Sequence, residues 1–174
     1  MFTLALPVWS STIAVNTVMT PSPIFEPGQE LTYGGPSTNA SLSQSFVIGA
    51  IQDESNLTTA VTTGLTLKLN DTTDGNSPVF NVTFTPPGGG LGGTFTFTGT
   101  GAPIMIGGLT YATITEGVFT YGVQESVSIN AGKGTLLNGI ITSSVPEPTT
   151  WILTALGLIL MIAGLWRRAA AETD

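Results

Sequence analysis

Between Val15 and Thr142 the chain repeats one pattern: short runs in which an apolar residue alternates with threonine or another small polar residue. Glycine, proline and Asp/Asn clusters break the runs. Successive side chains on a strand point to opposite faces, so such runs predict strands with one buried and one wet face. Leu65, Leu67 and Leu69 alternate with Thr66 and Lys68, and Phe95 and Phe97 alternate with threonines in Thr94–Thr98. Phe46 and Ile48 share a face of Gln44–Ile51. Val79–Thr85 is less regular but rich in β-formers, and Tyr111–Thr115, Val118–Val123, Gln124–Ile129 and Leu136–Thr142 continue the series. Thr, Val, Ile and Phe pack well on a pleated, half-buried surface. Some seven to nine strands at this spacing predict an all-β ectodomain, an antiparallel β-sandwich or jelly roll.

The punctuation agrees. Asp71–Pro78 contains Asp-Gly and reads as a turn, and Pro86–Gly93 (PPGGGLGG) as a flexible connection. Leu57–Thr63 has room for one helical turn, but its threonines oppose it. Val15–Ser43, with four prolines, reads as an edge strand or extended lead-in to a domain drawn at residues 15–142. Residues 1–14 resemble part of a secretion signal, with Thr12 and Ala14 suited to the −3 and −1 positions of a cleavage site. No lysine or arginine stands near Met1, and Pro7 interrupts the apolar part, so the alternative is a first strand of the domain.

The end of the chain has a different character. From Trp151 to Trp166 no residue is charged, and eight positions are Leu or Ile. With Thr149 and Thr150 the stretch spans roughly 27 Å as a helix. A membrane core is about 30 Å thick and takes roughly 17–25 residues to cross. Trp151 and Trp166 match the aromatic belts of the two interfaces, and Arg167 and Arg168 can snorkel to cytoplasmic headgroups. The expected organisation is a stalk at residues 143–150, approached from Asn138, a single transmembrane helix at 151–166 and a cytoplasmic tail at 167–174. The rest of the chain then lies outside the cytoplasm. A buried helix of a soluble domain is the other reading, but no face of the run is polar. Gly157 and Gly164 are not in G-x-x-x-G spacing, so no dimerising helix is indicated.

Val145-Pro146-Glu147-Pro148, the apolar run and the closing Arg167-Arg168 together resemble the PEP-CTERM sorting signal of Gram-negative bacteria. The resemblance covers Ser144 to Asp174 only. In that family a membrane protease, exosortase, recognises and cuts the tail, and the mature protein goes to the cell surface or extracellular matrix. The resemblance implies that Pro146, Glu147 and Pro148 are recognition residues, with Val145 beside them. It also implies membrane lipid and exosortase as partners, and an association with exopolysaccharide or biofilm.

Composition narrows the chemistry. The 174-residue chain has neither cysteine nor histidine. Disulfides, Ser-His-Asp or Cys-His catalysis and ordinary zinc sites are therefore excluded within one chain. Net charge is −7, and before the tail only Lys68 and Lys133 are basic. No basic patch can form, so no nucleic-acid partner is expected. Charged residues make up 9% of the chain, against about 25% in typical soluble domains. Such a surface suits an exported β-protein.

Candidate chemistry is sparse. Asn70–Asn76 (NDTTDGN) has oxygen ligands like the start of a calcium loop, but the twelfth position is Asn81 and no helix flanks it. A hairpin turn explains it better. Asp53 and Glu54 are adjacent on a strand and so point to opposite faces. Glu116 and Glu125 can meet across a hairpin, as a hydrolase with paired carboxylates would need. Sugar binding needs exposed aromatic platforms, for which Trp9, Tyr33, Tyr111 and Tyr121 are the candidates, though Tyr111 and Tyr121 fit the core better. Asn39, Asn56, Asn70 and Asn81 head Asn-x-Ser/Thr triplets, which are glycan acceptors only in eukaryotic secretion. The expectation is a non-enzymatic protein with no catalytic, cofactor or metal residues. A polysaccharide-binding module, a surface hydrolase and a permanently bitopic protein are the alternatives.

Overall fold

The computed structural model describes residues 12–20, 31–53, 64–85, 92–130, 133–144 and 154–162. Twelve strands fill most of them: β1 (Thr12–Thr20), β2 (Leu31–Gly34), β3 (Thr38–Ser41), β4 (Ser45–Asp53), β5 (Leu65–Asp71), β6 (Val79–Thr85), β7 (Gly93–Thr98), β8 (Ile104–Ile106), β9 (Leu109–Glu116), β10 (Phe119–Gln124), β11 (Ser126–Ile129) and β12 (Gly134–Ser143). They form two six-stranded sheets, in the orders β11-β7-β6-β5-β1-β3 (sheet A) and β2-β4-β12-β10-β9-β8 (sheet B). Every pairing is antiparallel.

The alternation does what the sequence predicts. In β6, Phe80, Val82 and Phe84 are buried while Val79, Asn81, Thr83 and Thr85 face out, a strict period of two hidden by an outward valine. In β5, Leu65, Leu67, Leu69 and then Asp71 point inward. One buried apolar cluster draws on both sheets, from Ile13, Leu67, Phe84, Phe95 and Phe97 of sheet A to Ile48, Ile51, Tyr121, Val123 and Ile141 of sheet B. A register shift between Leu137 and Asn138 interrupts β12, and beyond it Gly139, Ile140 and Ile141 are buried in succession.

The structure corrects the expected count of seven to nine strands. The additional ones come chiefly from Val15–Ser43, read above as an edge strand or lead-in. β1 is an interior strand, bonded to β5 on one side and β3 on the other. Its buried set is Ile13, Val15, Thr17 and Met19, so its period begins before Ala14. Thr12 and Ala14, the positions suited to signal cleavage, therefore lie in a paired strand, Thr12 opposite Ser41 and Ala14 opposite Asn39. At the other end β12 runs to Ser143, so Asn138–Ser143 belongs to the domain and not to a stalk. Residues 1–11, the helical turn weighed at Leu57–Thr63 and Pro86–Leu91 of the glycine-rich connection lie outside the described residues.

Residues Ser10–Ser143 make one compact unit, and the C-terminal residues belong to another. Within the expected span Trp151–Trp166, residues 154–162 form a helix, α1. Its leucines and isoleucines are all exposed, from Ile162 at 48% to Leu160 at 68%. At about 1.5 Å per residue the described part spans roughly 14 Å. Among the described residues no helix is long and apolar enough to cross a membrane.

Candidate functional site

Inward positions along an amphipathic strand are normally apolar, so a polar residue there must find its partners inside the protein. Three buried groups do so, two of them by bridging the sheets and one within sheet B. The first is Asp71, 2% exposed at the end of β5. Its Oδ1 accepts the N–H groups of Thr73 and Asp74, both at 2.9 Å, which closes the turn that follows. Its Oδ2 accepts the Tyr121 hydroxyl of sheet B at 2.6 Å. That hydroxyl in turn accepts from Asn76 Nδ2 at 2.7 Å. Ser77 N–H donates to Glu116 Oε2 at 2.8 Å, tying the same turn to the β9–β10 hairpin.

This network settles the reading of Asn70–Asn76. Both carboxylate oxygens of Asp71 are occupied within the protein, so the segment is a turn built around a buried carboxylate. Among the described residues no group of three or more Asp or Glu side chains is placed to hold a metal ion. Burial, and then the charge of Asp71, raises the Asp74 carboxyl above its ordinary value.

The second bridge joins β1, β2 and β4. Thr17 Oγ1 lies 2.6 Å and Tyr33 Oη 3.0 Å from the Ile48 carbonyl oxygen, and the two hydroxyls are 2.5 Å apart. Gly49 makes this possible: a Cβ there would strike the Tyr33 ring, so glycine lets the ring lie against β4. Burial pushes the Tyr33 hydroxyl up to about 12, outweighing the opposing hydrogen bond to Thr17. Burial, followed by the hydrogen bond to Asp71, raises Tyr121 further in the same direction. In the unfolded chain a tyrosine ionises near about 10. Stability from the raised group is thus complete below about pH 10 and is lost as pH rises towards about 12. We predict that Tyr33→Phe flattens part of this alkaline decline, read as urea midpoints across that range, while the share due to Tyr121 persists. An unchanged slope would exclude Tyr33 as a contributor.

The third is Tyr111, which is fully buried and donates to Ser45 Oγ at 3.0 Å. Tyr111 and Tyr121 are both 0% exposed and Tyr33 packs against the core, so none of them is a sugar platform. Tyr121 is taken by the core between the sheets, whereas Tyr111 is buried on the other face of sheet B, beside Gly122 and Ile140, and each hydroxyl finds a partner within the protein. Trp9 lies outside the described residues.

Glu116 and Glu125 do not meet. Glu116 pairs with Phe119 at the turn of the β9–β10 hairpin, whereas Glu125 follows the far end, where Gln124 pairs with Tyr111. The intervening strand residues, at about 3.4 Å each, hold the carboxylates beyond the 5–9.5 Å that glycoside hydrolysis uses. The backbone of Glu125 is itself structural, donating to Thr110 O and accepting from Phe97 N, both at 2.8 Å. The Asp53 side chain and Glu54 lie outside the described residues.

One concave feature stands on the outward face of sheet A, where β1 meets β3. Ala14 puts a methyl group where its neighbours carry larger polar side chains. The result is a depression of about 290 Å³ lined by Ala14, Asn16, Ser37, Thr38, Asn39 and Thr72 among others. Thr72 is fixed beside it by two bonds to the Ala14 carbonyl, from N–H at 2.9 Å and from Oγ1 at 3.1 Å. Asn70 Nδ2 donates to Asn16 Oδ1 at 2.8 Å, which leaves the Asn16 amide nitrogen as its outward donor. Sequence reasoning missed this feature, because only the β1–β3 register brings Ala14 and Asn39 together.

The sorting residues Val145, Pro146, Glu147 and Pro148, and the anchor residues Trp151, Trp166, Arg167 and Arg168, all lie outside the described residues. No family model matches the chain, and no curated protein or solved structure matches it.

Proposed function

We propose that this chain is an exported surface or extracellular-matrix protein. In this reading a non-catalytic β-sandwich ectodomain is held transiently by a C-terminal transmembrane helix, cut by an exosortase-type protease, and joined to exopolysaccharide or biofilm. The observation that carries it is the order of features at the C-terminal end: Pro146-Glu147-Pro148, an uncharged run from Trp151 to Trp166, then Arg167-Arg168. The exposed apolar surface of α1 supports it, since such surface needs lipid or a partner to cover it. Two antiparallel sheets around one apolar core support the β-sandwich reading. Their low surface charge suits a domain whose work is to persist outside the cell.

Intact-mass measurement tests the proposal. In cells with exosortase, the released protein is expected to lack Trp151–Trp166. Replacing Pro146, Glu147 and Pro148 together by Ala should leave the uncut chain in the membrane fraction. An uncut tail in those cells would favour a permanently bitopic protein, and recovery of the parent chain in the cytosol would overturn the reading altogether.

A further inference from the structure

We propose that the depression beside Ala14 is a binding subsite for one unit of a neutral polysaccharide. The proposal goes beyond where the protein is sent, because the site belongs to the folded domain wherever that is delivered. The lining decides the ligand class. Its side chains offer amides from Asn16 and Asn39 and hydroxyls from Ser37, Thr38 and Thr72, with no charged and no aromatic residue among them. Asn39 and Ser37 have no side-chain partner among the described residues, so their donors and acceptors are available. Such a set pairs with a ligand dense in hydroxyl groups.

Charge argues against the anionic members of that class. The chain carries a net −7, and Lys68, the basic residue nearest along β5, pairs with Val18 and Val79, well away from Ala14. A polyanion would be repelled without a local cation to hold it. Size also limits the ligand. A cavity of about 290 Å³ is at the lower end of small-molecule sites, roughly 300–1,000 Å³. It suits one sugar ring, with the chain continuing over the adjacent outward side chains. Asn16, opposite Asn70, extends the same chemistry by one pair, and beyond that pair the outward face carries Val18, Lys68 and Val79, where the polar strip ends. Without a stacking aromatic, affinity for a single unit is weak, with Kd of about 1 mM or above.

Affinity electrophoresis of the full chain in mild detergent tests this, in gels cast with dextran, laminarin or galactomannan (all neutral) and with alginate (anionic). Mobility without polysaccharide is the reference. Retardation is expected in at least one neutral gel and not in alginate. Ala14→Trp fills the depression and should abolish retardation. Asn39→Ala, at an exposed side chain that the fold does not need, should weaken binding about threefold or more. Ser126→Ala, on the far edge strand of sheet A, should leave it unchanged. Circular dichroism confirms that each variant folds, and if Ala14→Trp does not, Asn39→Ala decides. The proposal is overturned if no neutral gel retards the parent chain, if folded Ala14→Trp is retarded equally, or if alginate alone retards it. Sorting is read separately by intact mass, so failure of either proposal leaves the other standing.

Discussion

Phe95→Ala is expected to destabilise the β-domain by about 3–5 kcal/mol, the usual cost of truncating a buried aromatic. Phe95 is fully buried at the middle of β7. Its ring centroid lies 4.9 Å from that of Phe84 and 6.4 Å from that of Phe97. Truncation removes the transfer term, leaves a cavity that two neighbouring rings cannot fill, and loses pair contacts worth about 0.5–1.5 kcal/mol each. Domains of this size are stable by about 5–15 kcal/mol, so the variant would sit near or past the point of unfolding. Chemical denaturation of parent and variant measures the difference. Phe95→Leu should cost much less, about 1–1.5 kcal/mol. A loss below about 1 kcal/mol for the alanine variant would mean that these rings do not form the core described.

Asp71→Ala should be nearly as damaging, by about 2–4 kcal/mol. It removes the acceptor of two turn N–H groups and of the Tyr121 hydroxyl at once. Water can reach the turn amides, but the hydroxyl sits at the boundary of the two sheets and is left with Asn76 alone. Asp71→Asn keeps one carbonyl acceptor and should lose roughly half as much. Tyr121→Phe breaks the bond to Asp71 and also removes the acceptor of Asn76 Nδ2. A double-mutant cycle of Asp71→Ala with Tyr121→Phe isolates the pair, and its coupling should exceed about 0.5 kcal/mol. Strict additivity would show that the carboxylate acts only on its own turn.

The eight strands from β4 to β7 and β9 to β12 were legible because a half-buried strand must alternate, and alternation survives in the letters. β1 was obscured by Thr17, an inward polar residue made acceptable by the carbonyl of Ile48 and the hydroxyl of Tyr33. β2 and β3 are four residues each, too short to show a period. The turn at Asp71–Pro78 was legible as a turn. That its first residue also joins the two sheets was not, because Tyr121 is fifty positions away. The carboxylates at Glu116 and Glu125 looked compatible until the hairpin register separated them. The depression at Ala14 depends on a side chain being small beside a strand from elsewhere in the sequence. No local pattern encodes that.

The placement of the first and last strands has its own consequence. β1 lies inside sheet A, and β12 lies inside sheet B between β4 and β10. Until the segment ending at Ser143 arrives, sheet B is two unjoined pieces, and Val47 still lacks its partner Asn138. Contacts so distant along the chain form slowly, and here they cannot begin early. A polypeptide emerging from its N-terminal end could therefore pair β1, β3, β5, β6 and β7 early, while sheet B would stay open until its last strand had passed.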